Sequence, residues 1–141
     1  MAGQTMRILP RTDFDVSGLG TSSSATVTVA RKIDTSRWRE CVILARLHAA
    51  ASWPTSSTIK VFVLVDGYTD EDPAAMWNVP SGSPALITFT QGTDTAPSVK
   101  NAGLSAPFGP LAQVQITFTT TATASGPFKP SLSLDLNLKG E

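Results

Sequence analysis

The sequence contains one cysteine, Cys41, one histidine, His48, and one tyrosine, Tyr68. A lone cysteine leaves no intrachain disulfide and no thiolate metal cluster. A lone histidine removes most arrangements in which a base activates a nucleophile. Charge is also scarce: 16% of residues are charged, against roughly 25% in an average globular protein. Eleven basic residues balance eleven acidic ones, so no basic surplus exists to displace counterions from DNA or RNA. The densest basic group, Arg31, Lys32, Arg37 and Arg39, is broken by Asp34 and followed by Glu40. A nucleic-acid partner is therefore not expected. No stretch approaches the ~18 apolar residues of a membrane helix, and residues 1–10 carry no long apolar core of a secretory signal. Synthesis in a cytosol, without a membrane partner, is the expectation.

What the chain has instead is serine and threonine, which suit turns and strands respectively. With 141 residues and 41% hydrophobic content, one domain over residues 1–141 can bury its own core without metal or disulfide staples. A net charge of zero removes self-repulsion and is compatible with packing against copies of the same chain.

The clearest pattern is strict alternation. Residues 131–139 place Leu132, Leu134, Leu136 and Leu138 on one side and Ser131, Ser133, Asp135 and Asn137 on the other. A helix would scatter those leucines round its axis, whereas a strand stacks them on one face. Residues 113–121 repeat the pattern, with Val114, Ile116 and Phe118 inward, and residues 25–30 set Val27 and Val29 against Thr26 and Thr28. Residues 58–66 are apolar on both sides, with Ile59, Val61, Val63 and Val65 on one and Phe62 and Leu64 on the other. That strand should be central or covered on its outer face. Shorter strands are expected at residues 85–91 and 6–9, the latter ended by Pro10 at an edge. Residues 36–51 fit a helix through Trp38, Val42, Ala45 and Ala49, but the all-β surroundings favour a long strand.

Ten glycines and ten prolines concentrate in the stretches 17–24, 52–57, 67–84, 92–110 and 122–130, which read as loops. The expected fold is an all-β, single-domain antiparallel β-sandwich of six to eight strands, jelly-roll or immunoglobulin-like. Residues 1–12 form a candidate N-terminal arm anchored by Met6, Ile8 and Leu9.

Catalytic chemistry finds little support. His48 ends a long apolar segment, and Cys41 has the apolar neighbours of a small core residue. Ser81 and Ser83 lack the spacing of a nucleophile elbow, and Gly18-Leu19-Gly20 lacks the third glycine of a phosphate loop. No cofactor is expected. The run Asp66-Gly67-Tyr68-Thr69-Asp70-Glu71-Asp72 offers oxygens of the kind calcium takes, without EF-hand spacing; solvated turn acids explain it equally. Trp53, Tyr68 and Trp77 lie in loops. There they can cap the core, contact a protein partner as aromatic hot spots do, or stack on sugar rings.

Residues 32–36 leading into residues 38–48, then residues 59–65 and the acidic run 66–72, resemble the small β-sandwich virion proteins of tailed bacteriophages. Those proteins decorate capsids or sit at head and tail joints. The resemblance implies a non-enzymatic structural subunit, present in many symmetric copies and bound to a capsid or tail protein, located in the virion after synthesis in the host cytoplasm. The alternative is a glycan-binding β-sandwich module on a tail or appendage, with Trp53, Tyr68 and Trp77 as its platform. Met6, Ile8, Leu9, Trp53, Tyr68 and Trp77 are the candidate partner contacts.

Overall fold

The computed structural model describes residues 4–18, 23–67, 85–105, 111–121 and 127–140. These form eight strands and no helix: β1 (Gln4–Asp13), β2 (Ser23–Asp34), β3 (Glu40–Ala49), β4 (Thr58–Gly67), β5 (Ile87–Thr90), β6 (Ser98–Ser105), β7 (Leu111–Thr120) and β8 (Ser131–Lys139). One sheet runs β1-β8-β3-β6 and the other β2-β7-β4-β5. All pairings between these strands are antiparallel.

The pairing follows a simple rule. β1 pairs with β8, β2 with β7, β3 with β6 and β4 with β5. The chain is thus doubled into one long antiparallel ribbon, which rolls so that β8 meets β3 and β7 meets β4. This is the jelly roll, an eight-stranded double sheet. It settles the choice left open by sequence, because an immunoglobulin sandwich orders its strands differently.

The alternating residues meet between the sheets. Leu132, Leu134, Leu136 and Leu138 from β8 face Val114, Ile116 and Phe118 from β7, with Ile43, Ala45 and Leu47 from β3 and Ile59, Val61 and Val63 from β4. Burying each of the larger side chains stabilises the fold by roughly 1.5–3 kcal/mol before entropy is counted. Cys41 belongs to this core, and burial pushes its thiol pKa up to about 11. Phe14 leans on Phe118 with ring centroids 5.4 Å apart.

Residues 40–49 of the stretch 36–51 are strand rather than helix, as favoured, because β3 sits between β8 and β6 and needs one buried face and one partly covered. β4 is central, and Leu64, on its outer face, is only 6% exposed. Two expectations are corrected. Pro10 does not end β1, which continues to Asp13. β1 is an edge strand, so a missing N–H can face solvent, and its register shifts flank the proline. The stretch 92–110 is not one loop but contains β6. Met6, Ile8 and Leu9 lie on β1, partly buried against the chain's own core.

An end groove beside a cationic sheet face

The β3–β4 connection (residues 50–57) and the β5–β6 connection (residues 91–97) meet at one end of the sandwich. After His48 come three alanines and a serine, too small to fill the space that the strand ends leave. Ser52 and Ser56 adopt left-handed backbone (φ 60° and 58°), an uncommon conformation for non-glycine residues. The second loop turns at Gly92, whose φ of 92° favours glycine.

The two loops are braced against each other. Gln91 N–H donates to the Ser57 carbonyl (2.9 Å), and Ser56 N–H donates to Gln91 Oε1 (3.0 Å). Asp94 accepts from Thr90 N–H at 2.7 Å and from Lys100 Nζ at 3.0 Å. Burial pushes the Asp94 pKa up, but these donors outweigh it and hold the carboxyl below its ordinary range. Between the loops lies a groove of about 660 Å³, lined by His48, Ser52, Trp53, Gln91 and Thr95 among others. Trp53 packs partly on the core, and its indole N–H is buried without an acceptor. It therefore presents no donor to the groove.

His48 joins this groove to the outer face of the β1-β8-β3-β6 sheet. Along β8, Ser131, Ser133 and Asp135 point outward, and cations flank them from β1 and β3. Arg7 forks onto Asp135 (Nε–Oδ1 2.6 Å, Nη2–Oδ2 3.1 Å), and Arg46 Nη1 donates to Asp135 Oδ2 at 2.7 Å. Arg11 Nε donates to Ser131 Oγ at 3.1 Å, and His48 Nε2 lies 2.9 Å from Ser133 Oγ. The hydrogen bonds from Arg7 lower the Asp135 pKa most, against the effect of burial, and Arg46 adds to them. His48 is shifted down, first by desolvation and then by Arg11, Arg46 and Arg7. Loss of water and the charges of three guanidiniums thus both disfavour the imidazolium form.

A histidine beside a serine raises the question of a nucleophile and its base. Ser133 is 1% exposed, so no carbonyl carbon can reach its Oγ while these side chains hold their places. The carboxylate in this cluster, Asp135, is occupied by Arg7 and Arg46 rather than by His48. The geometry is that of a hydrogen bond fixing the imidazole. Among the described residues, no three His, Cys, Asp or Glu side chains converge as metal ligands.

The same sheet face carries an apolar strip further along. Val42 and Leu44 are half-buried and line a hollow of about 360 Å³ with Asn101 and Asn137. Asn137 Oδ1 is buried there without a donor, and Val99 on β6 is 59% exposed. Of the residues singled out by sequence, the structure places Trp53 in the groove and Met6, Ile8 and Leu9 on the edge strand β1. Tyr68, Trp77 and the acids Asp70, Glu71 and Asp72 lie outside the described residues. Sequence reasoning missed Arg7, Arg11, Arg46, Gln91 and Thr95, since only strand register brings them together.

No protein-family model matches the chain, and no curated protein is similar to it in sequence. Solved structures do match. VP2 of infectious bursal disease virus, solved as a subviral particle, overlays 97% of this chain with a TM-score of 0.58 at 12% identity. VP2 of the Gx strain of that virus matches over the same share with a TM-score of 0.52, also at 12% identity. The chain spans about a third (32%) of the length of each VP2 chain. The K1 cleaved adhesin domain of Lys-gingipain from Porphyromonas gingivalis W83 covers all of this chain and 99% of its own, at 9% identity and a TM-score of 0.42. The β-sandwich is thus shared with a virus-particle protein.

Proposed function

We propose that this chain is a non-catalytic structural subunit of a bacteriophage virion, such as a capsid-decoration or head/tail protein, that binds copies of itself and a capsid or tail protein. The observation that carries this reading is the apolar strip on the outer face of β1-β8-β3-β6. There Val99 is exposed opposite Arg46 and diagonal to half-buried Leu44, with half-buried Val42 one step further along β3. A second subunit on this face would cover Val99 and the half-buried Leu44 and Val42. The jelly roll in common with VP2, from a subviral particle, supports the reading at the level of fold. In this reading the protein is made in the host cytoplasm and ends in the virion.

Native mass measurement of the purified chain, with Val99→Glu as its partner experiment, tests the proposal. A multi-subunit species that falls to monomer in Val99→Glu is expected. A wild-type chain that stays monomeric at its highest soluble concentration, and does not bind purified capsids or tails, would sink the reading.

A second reading is a glycan-binding module. The observation favouring it is the end groove, where Trp53 forms one wall and Gln91, Thr95 and Ser52 bring polar groups. Its volume falls within the few hundred to about 1,000 Å³ of small-ligand sites.

A further inference from the structure

We propose that the end groove and its cationic rim together bind an acidic sugar, one bearing a carboxylate or a sulfate. This rests on the second reading above, of the groove as a ligand site, and is independent of subunit assembly. The charge comes first. On the outer sheet face next to the groove stand Arg7, Arg11 and Arg46, and the acids on that face near them are Asp135 and Asp13. Asp135 engages Arg7 and one nitrogen of Arg46. Arg11 donates through Nε to a serine hydroxyl, a neutral partner. Among the described residues, its terminal nitrogens and the outer edge of Arg46 are donors still open to a fork onto an anion.

The position of His48 makes this charge relevant to the groove. The imidazole lines the groove and is held by Ser133, and it feels Arg11 more strongly than Arg46 or Arg7. An anion seated at the His48 end would lie nearest Arg11, which bonds Ser131 opposite the groove-lining Ala49. The Asp94 carboxylate on the opposite wall is already neutralised by Lys100 and does not repel it.

The groove itself selects a sugar over a peptide. A peptide binds most readily by adding a strand to a sheet edge, through its backbone. Here the surface is a short, open hollow between two cross-braced loops, with small side chains on its floor. Trp53 contributes without a free donor, while Gln91, Thr95 and Ser52 contribute polar atoms. Apolar carbon beside scattered amide and hydroxyl groups suits a pyranose ring, and the arginine rim suits its acidic substituent.

The test is a set of titrations of the full chain, followed by isotope-edited NMR and calorimetry. The probes are 3′-sialyllactose, a sulfated heparin disaccharide, lactose and tetraglutamate. Binding of at least one acidic sugar is expected, with shifts confined to Arg11 and residues 46–53 and 91–96 and with no response to lactose or tetraglutamate. Arg11→Gln, an exposed position, should weaken the acidic sugar about tenfold, and Arg11→Lys should restore part of the loss. If lactose binds as well as sialyllactose, the glycan reading survives and the acidic specificity fails. If tetraglutamate binds as well as the sugars, the site is a simple anion patch and the proposal fails. No response to any probe overturns both. Trp53→Phe, measured alongside with a folded-state spectrum, should weaken every bound sugar; no effect would remove Trp53 from the site.

Discussion

Lys100 makes the sharpest test of how the two sheets are held at their open edge. It lies on edge strand β6, opposite Ala45 and therefore on the inward face. Its ammonium donates to the Thr88 carbonyl at 2.7 Å, reaches both Asp94 oxygens at 3.0 Å and sits 5.3 Å from the centroid of Phe89. One side chain thus ties β6 of one sheet to β5 of the other. Lys100→Met keeps most of the stem and removes the charge. Charged hydrogen bonds contribute about 1.5–3 kcal/mol each when sheltered. Lys100 is 35% exposed and Asp94 12%, so screening discounts that figure substantially. The ring contact adds about 0.5 kcal/mol. A loss of roughly 2 kcal/mol follows, which for this length means a melting temperature lower by about 7 °C. Urea denaturation followed by fluorescence and circular dichroism measures it, and a double-mutant cycle with Asp94→Asn isolates the pair. A melting point unchanged within about 1 °C, or no coupling in the cycle, refutes the tie. The same substitution removes an inward-pointing charge from an edge, a device that discourages edge-to-edge association. Light scattering should therefore rise as well.

Other expectations follow from the same structure. Leu134→Ala, at a fully buried position in the middle of the sandwich, should cost about 3 kcal/mol in urea unfolding. Asp135 has a depressed folded-state pKa. Its contribution is present above the ordinary carboxylate value of about 3.9 and is lost as pH falls through the lower folded value. Asp135→Asn should flatten that acid limb of the stability curve. His48 is also depressed, so the unfolded chain takes up its proton first. Stability should fall as pH drops below about 6.5, and His48→Gln should abolish that step. Cys41, with its raised pKa and 3% exposure, should resist thiol reagents in the folded protein and react at once in urea.

Much of the fold is legible because alternation is a property of single strands. Residues 131–139 coincide with β8, and residues 58–66 fall one residue short of β4. β6 escapes detection for a physical reason. Its inward residues are Ser98, Lys100, Ala102 and Leu104, so the core-facing side of this edge strand starts polar and offers only an alanine before its last position. The central position of β4 is legible from its two apolar faces, though not which strands flank it. Of the groove and its rim, Trp53 is legible as a loop aromatic, and the rest is not. Arg11, Arg46 and Ser133 come from three strands, and they are neighbours because β8 lies between β1 and β3. That order is a matter of pairing between distant segments, which no local pattern encodes.

The pairing of first strand with last also governs the order in which the protein can form during synthesis. β4 and β5 can meet soon after they leave the ribosome, then β3 can find β6, and β2 can find β7. β1 is made first and must wait for β8, whose first residue follows Asp13 by 118 positions. At about 5–20 residues per second, that is on the order of ten seconds with Met6, Ile8 and Leu9 unsheltered. Crowded nascent copies pass through this interval together, and the strand borne on the outside of the finished sheet is the one most exposed to capture by a neighbour's unfinished β8.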